Sequence, residues 1–274
     1  MHENWAPAFS PRPERIRLCP QNRLAIPIPE SNFGFMFAAA PYPKWELFRP
    51  EHTLTLIVTA LLAILTIAYA RRAPNSRGVV IQTRILGVIL LLTWVGKTIT
   101  YPLAGHAIPL PMYLCDWAGY AGAFALLTRR IWLVELSYFW GLGAAIHGLL
   151  TPDLLYGFPY PVWFSSVHLH VFSVLAAFYV VLGLRLRPSR FAVWRVIAIS
   201  HVYLLAAWIS NLIVPGYNFG LLEQKPRIGS ITEFFPDEPW HFIAFWPLSL
   251  VVFGLLYLPF WILRRKEQKR LETI

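Results

Sequence analysis

Residues 52–70 read HTLTLIVTALLAILTIAYA, a run with no Asp, Glu, Lys or Arg that stops at Arg71-Arg72. A helix needs about 20 predominantly apolar residues to cross the hydrocarbon of a bilayer, and this run meets that need. Further segments of the same character follow at 79–104, 110–128, 131–150, 161–184, 191–214 and 240–263. Helix breakers separate them, among them Ala73-Pro74-Asn75, Pro109-Leu110-Pro111, Thr151-Pro152-Asp153 and Arg187-Pro188-Ser189. The pattern predicts an all-α, polytopic membrane bundle of seven transmembrane helices over residues 51–263. Composition agrees. The chain is 57% hydrophobic and 14% charged, against about 25% charged in soluble domains. Its 12 Trp and 12 Tyr suit the water–hydrocarbon boundary, where such rings sit half in each phase.

The formal charge of +10 does not imply a nucleic-acid partner, because the basic residues lie in short clusters between apolar runs rather than along one surface. The clusters instead set topology. Arg71, Arg72, Arg77 and Arg84 flank the first connection, Arg129 and Arg130 the third, and Arg185, Arg187, Arg190 and Arg195 the fifth. The tail at 264–274 adds Arg264, Arg265, Lys266, Lys269 and Arg270. The intervening loops hold no Lys or Arg at 105–112 or 151–160, and only Lys225 and Arg227 at 215–239. Positive loops stay cytoplasmic, which predicts a cytoplasmic C-terminus, an external N-terminus and residence in the cell membrane. Lys44 and Arg49 weakly oppose this. Residues 1–50, rich in Pro and charge, read as an extended, poorly ordered leader containing Cys19; Met36 offers an alternative start nearer the first span. Two thiols in the whole chain do not make a disulfide framework.

This orientation gives each polar residue inside a span a depth. Cys115, Asp116, His147, His168, His170, Asn211, His241 and Lys97 all fall toward the external side. Charges in hydrocarbon cost roughly 2.5–3.5 kcal/mol on insertion scales, so these groups are expected to face one another. Blander readings stand beside that one. Cys115 alone fits a small buried hydrophobe, His147 and His241 fit interface hydrogen bonding, and Lys97 is expected to snorkel outward. Glu135 is expected to pair with Arg129 and Arg130 near the inner face. Cys115, Gly119 and Gly122 form an i, i+4, i+7 stripe of small residues, which predicts close approach of a neighbouring helix. His168 and His170 lie about 200° apart around a helix, so both cannot address one ligand. With no HExxH or CxxC, metal is disfavoured and no cofactor is called for. What remains is a thiol and an imidazole, a pair able to perform nucleophilic catalysis when a third polar group orients the histidine. Asn211 and Asp116 are candidates for that third group. Asp116 could equally bind a substrate cation or cap its helix.

The segment Pro109-Leu110-Pro111-Met112-Tyr113-Leu114-Cys115-Asp116 resembles an LPLHLCD motif. Ser137–Leu142 followed by Leu149–Leu154 resembles a YFWGL…LLTPDL stretch. Phe158-Pro159 with His170, and Asn211, Tyr217-Asn218, Lys225-Pro226 and Pro239-Trp240, complete the likeness. These motifs, in order from about residue 45 onward, are similar to the YwaF-like integral membrane proteins, a family extending to the animal transmembrane protein 164 group. The resemblance implies lipid acyl transfer by a Cys/His pair, falling here on Cys115 and His170 with His168 as local competitor. Two departures are visible: Tyr113 replaces the motif's histidine, and Val171 replaces the glycine after His170. The expected function is a membrane acyltransferase acting on phospholipid and lysophospholipid, with Asp116, His147, His168, Lys225 and Arg227 as substrate-binding candidates, the last two holding a phosphate. A small-solute transporter or channel and a non-catalytic scaffold are the alternatives.

Overall fold

The structure is a computed structural model and describes residues 42–214, 216–226, 234–238 and 240–272. Cys19, Met36 and Arg227 lie outside the described residues. The architecture is all-helical. Its long helices are α1 (Pro50–Arg72), α2 (Arg77–Leu103), α3 (Leu114–Thr128), α4 (Ile131–Leu150), α5 (Pro161–Gly183), α6 (Ala192–Ile213) and α7 (His241–Glu272). All but α3 are long and apolar enough to cross a membrane. With 15 residues, α3 spans only about 22 Å at 1.5 Å per residue, short of the roughly 30 Å hydrocarbon layer. The non-helical segment before it, Pro109–Met112, takes up part of the length that the sequence assigns to a helix from 110.

Local signals explain the helix ends. Pro50 and Pro161 open α1 and α5, where the missing N–H is one the helix could not use and the fixed φ is already helical. The Ser76 hydroxyl accepts the Val79 N–H at 3.2 Å and caps α2. Of the residues read as leader, 42–49 dock onto the α4–α5 connection: the Trp45 N–H donates to the Leu155 carbonyl at 3.1 Å and the Gly157 N–H to the Pro43 carbonyl at 2.9 Å.

Helices α2 to α5 form the packed centre, while α1 and α7 present most of their surface outward. Small residues make the centre tight. A Cβ on Gly119 would come within 2.9 Å of Leu169 on α5, and one on Gly122 within 3.3 Å of Ala176, so the Cys115–Gly119–Gly122 stripe does pack on a neighbour. Within α4, Gly141–Ala145 forms a π-helical turn. There a Cβ on Gly141 would lie 2.6 Å from that of Ala177, so the crossing requires glycine. At the end of the bundle carrying the basic residues, fully buried Glu135 accepts from Arg195 Nη1 at 2.9 Å and from the Ser189 N–H at 2.8 Å. This corrects the expected pairing with Arg129 and Arg130. Arg129 closes α3 in a left-handed conformation (φ 55°), whereas Arg195 projects from α6 toward α4 and reaches the carboxylate.

Replacing Gly141 by Ala should destabilise the purified protein in detergent by about 1–3 kcal/mol through overpacking. Gly254→Ala, where an added Cβ meets no atom within 4 Å, should be neutral or stabilising by up to about 1 kcal/mol. Equal thermal unfolding of the two variants would refute the close crossing of α4 and α5.

Candidate functional site

An ion pair lies inside the end of the bundle where α1 begins. The Lys97 ammonium on α2 meets Asp116 Oδ1 on α3, with side chains only 6% and 4% exposed. This corrects the snorkelling expected of Lys97. Its stem turns inward because a carboxylate waits at the same depth, and leaving either charge unpaired in an apolar interior would be costly. Asp116 sits in the first turn of α3, where the helix's positive pole also favours a carboxylate. Tyr113 contributes its ring face, 5.8 Å from the ammonium. Asp116 Oδ2 and Thr93 Oγ1 have no hydrogen-bond partner among the described residues, and Thr93 and Asp116 both line a cavity of about 10 Å³ between α2, α3 and α5.

Cys115 is half-buried beside Asp116, one turn above Gly119 on the stripe that packs against α5. His170 stands on α5. Its Nδ1 lies 2.7 Å from the Ser166 carbonyl. A carbonyl can only accept, so Nδ1 carries the proton and Nε2 keeps its lone pair in the neutral ring. Nε2 points to Gly148 on α4, where an added Cβ would sit only 2.1 Å away. Sulfur and imidazole make no hydrogen bond with each other among the described residues.

The other candidates have different work. His168, two residues before His170, turns to α2 and donates Nε2–H to the Ile89 carbonyl at 2.8 Å. That bond ties α5 to α2 and leaves the ring no free donor for a substrate. Asn211 gives both amide atoms to Phe219, accepting its N–H at 2.9 Å and donating to its carbonyl at 3.1 Å. It therefore clamps the loop after α6. Lys225 donates from its ammonium to the Phe235 carbonyl at 2.9 Å, a bond within the loop between α6 and α7. Asp116 pairs with Lys97 through Oδ1. His147 is exposed near the end of α4, and Arg227 lies outside the described residues.

The loop after α6 roofs the site. Phe219, fully buried, packs edge-on against Tyr113 and stacks on Tyr217, each at 5.1 Å between ring centroids. Tyr203 on α6 donates its hydroxyl to the Met112 carbonyl at 3.2 Å, and fully buried His241 bonds the Leu221 carbonyl at 2.8 Å. Reading residues singly missed Gly148 and Tyr203. The available signal was a lone lysine and a lone aspartate at one depth, each of which needs the other.

Lys97→Met should strand the Asp116 carboxylate and cost about 3–5 kcal/mol, while the double variant Lys97→Met/Asp116→Leu should recover most of that loss. Thermal unfolding in detergent checks the cycle; additive losses would mean the two charges do not depend on each other.

A model of the TMEM164 family matches residues 47–257. Neither a curated protein nor a solved structure matches the chain.

Proposed function

The chain belongs to the TMEM164 family, and from that premise we propose that it is a membrane-embedded lipid acyltransferase working through a thioester on Cys115. In this reading the bundle crosses the membrane seven times, with its basic end in the cytoplasm and the Lys97–Asp116 layer in the external leaflet. The Cys115 sulfur attacks the ester carbonyl of a phospholipid while His170 Nε2 takes the thiol proton. Collapse of the tetrahedral adduct breaks the ester C–O bond. The proton on His170 passes to the departing lysophospholipid oxygen, leaving an acyl thioester. The hydroxyl of a second lysophospholipid then gives its proton to His170 and attacks the thioester carbonyl; the C–S bond breaks, the proton on His170 passes to the departing sulfur, and the acylated phospholipid leaves a free thiol.

The observation that supports this reading is the His170 tautomer: the Ser166 carbonyl holds the proton on Nδ1, so Nε2 is the nitrogen that can accept a thiol proton. Thiol and imidazole come into hydrogen-bond contact only with substrate bound, as catalytic contacts commonly do.

Purified protein in nanodiscs, given phosphatidylcholine as donor and a labelled lysophospholipid as acceptor, should transfer acyl groups and accumulate a hydroxylamine-sensitive acyl adduct. Cys115→Ser should abolish the adduct, and His170→Gln should slow transfer by about 100- to 10,000-fold. Transfer at the wild-type rate in Cys115→Ser would end the proposal.

A further inference from the structure

Helix α1 is fastened to the bundle at both ends, and between them Leu56, Ala63 and Ile67 pack on the core around one slot. At one end His52 Nε2 bonds the Leu149 carbonyl at 3.0 Å. At the other, Ala70 is fully buried against α5, where a Cβ on Gly183 would lie 3.5 Å from it. Between these fastenings Thr59, Ala60 and Ala63 share one face at i, i+1 and i+4, and their short side chains leave a slot of about 240 Å³. Leu149 on α4 and Val174 and Phe178 on α5 form the opposite wall. The Thr59 hydroxyl donates to the Thr55 carbonyl of its own helix at 2.7 Å, so the polar side chain on this face is already satisfied. Such a cavity offers water nothing to bond.

The position of the slot identifies its occupant. Its rim includes exposed Ala60 and Leu150 and continues into the outward-facing Ile57, Leu61 and Ile64 of α1. The slot is thus continuous with the surface that meets lipid. Its other limit is the site: Val174 and Phe178 are one and two turns below His170 on α5, and Gly148, against which the imidazole rests, adjoins Leu149. From this geometry we propose that the slot binds one hydrocarbon chain of a phospholipid, with the ester at the His170 end and the chain running toward the basic end of the bundle. As the acyl-chain subsite of the transfer reaction it rests on the function proposed above; as a lipid site it does not.

The test uses the full-length protein in nanodiscs with a phosphatidylcholine carrying a diazirine within one acyl chain. Photolysis and peptide mapping should place label on α1 and α5 residues around the slot, in wild type and in Cys115→Ser alike. Filling the slot with Ala60→Trp should cut that label by about tenfold, the effect of displacing about two methylenes, while Leu61→Trp on the lipid-facing side leaves it unchanged. The milder Ala60→Leu covers the case in which the larger residue prevents folding, and in transfer assays it should shift preference to shorter chains. Label unaffected by both Ala60 variants overturns the slot as a lipid site. Label lost with chain preference unchanged overturns the subsite and leaves a structural lipid. Slot labelling in a protein that transfers no acyl group upholds the lipid site and removes the transferase reading.

Discussion

An ammonium and a carboxylate confined together in an apolar interior determine much of what surrounds them. Neither Lys97 nor Asp116 can stay charged there without the other. Helix α2 must therefore present position 97 to the first turn of α3, and α3 must begin where it does, after a non-helical Pro109–Met112 segment rather than inside a longer helix. The short α3 follows from this, and so does the roof above it. A helix that starts below the bundle's rim leaves space, which Tyr113, Tyr217 and Phe219 fill. The clamp from Asn211 to Phe219 then holds the roof in register with α6.

Much of the fold was legible in the sequence because bilayer thickness is a length requirement, and length is what a sequence displays directly. Runs such as 52–70 and 191–214 declare themselves without knowledge of their neighbours. The stripe Cys115–Gly119–Gly122 was legible for a similar reason, since small residues on one helical face have little use except close approach. What could not be read was partnership. Glu135 had two nearer arginines in sequence and took a third from another helix. Nor does anything in the sequence show that the Phe219 backbone returns to the Asn211 amide.

The histidines show the same limit at the level of single atoms. His52, His168 and His241 all use Nε2 to tie a backbone carbonyl of another segment. These contacts hold a membrane bundle together where few other donors exist. His170 differs by holding its own helix with Nδ1, which leaves the opposite nitrogen directed at a glycine. Sequence spacing separates His168 from His170 in direction but cannot say which of them is a fastener.

The π turn at Gly141–Ala145 carries a consequence for how this chain tolerates insertions and deletions. Such a turn amounts to one extra residue accommodated within an α-helix. Losing one residue there would restore regular helix and leave the flanking turns close to their present phase, with Gly148 still against the imidazole. The same loss from the regular turns between Gly148 and the π segment would rotate the end of α4 by about 100°. The phase of α4, rather than its hydrophobicity, is what this part of the molecule has to preserve.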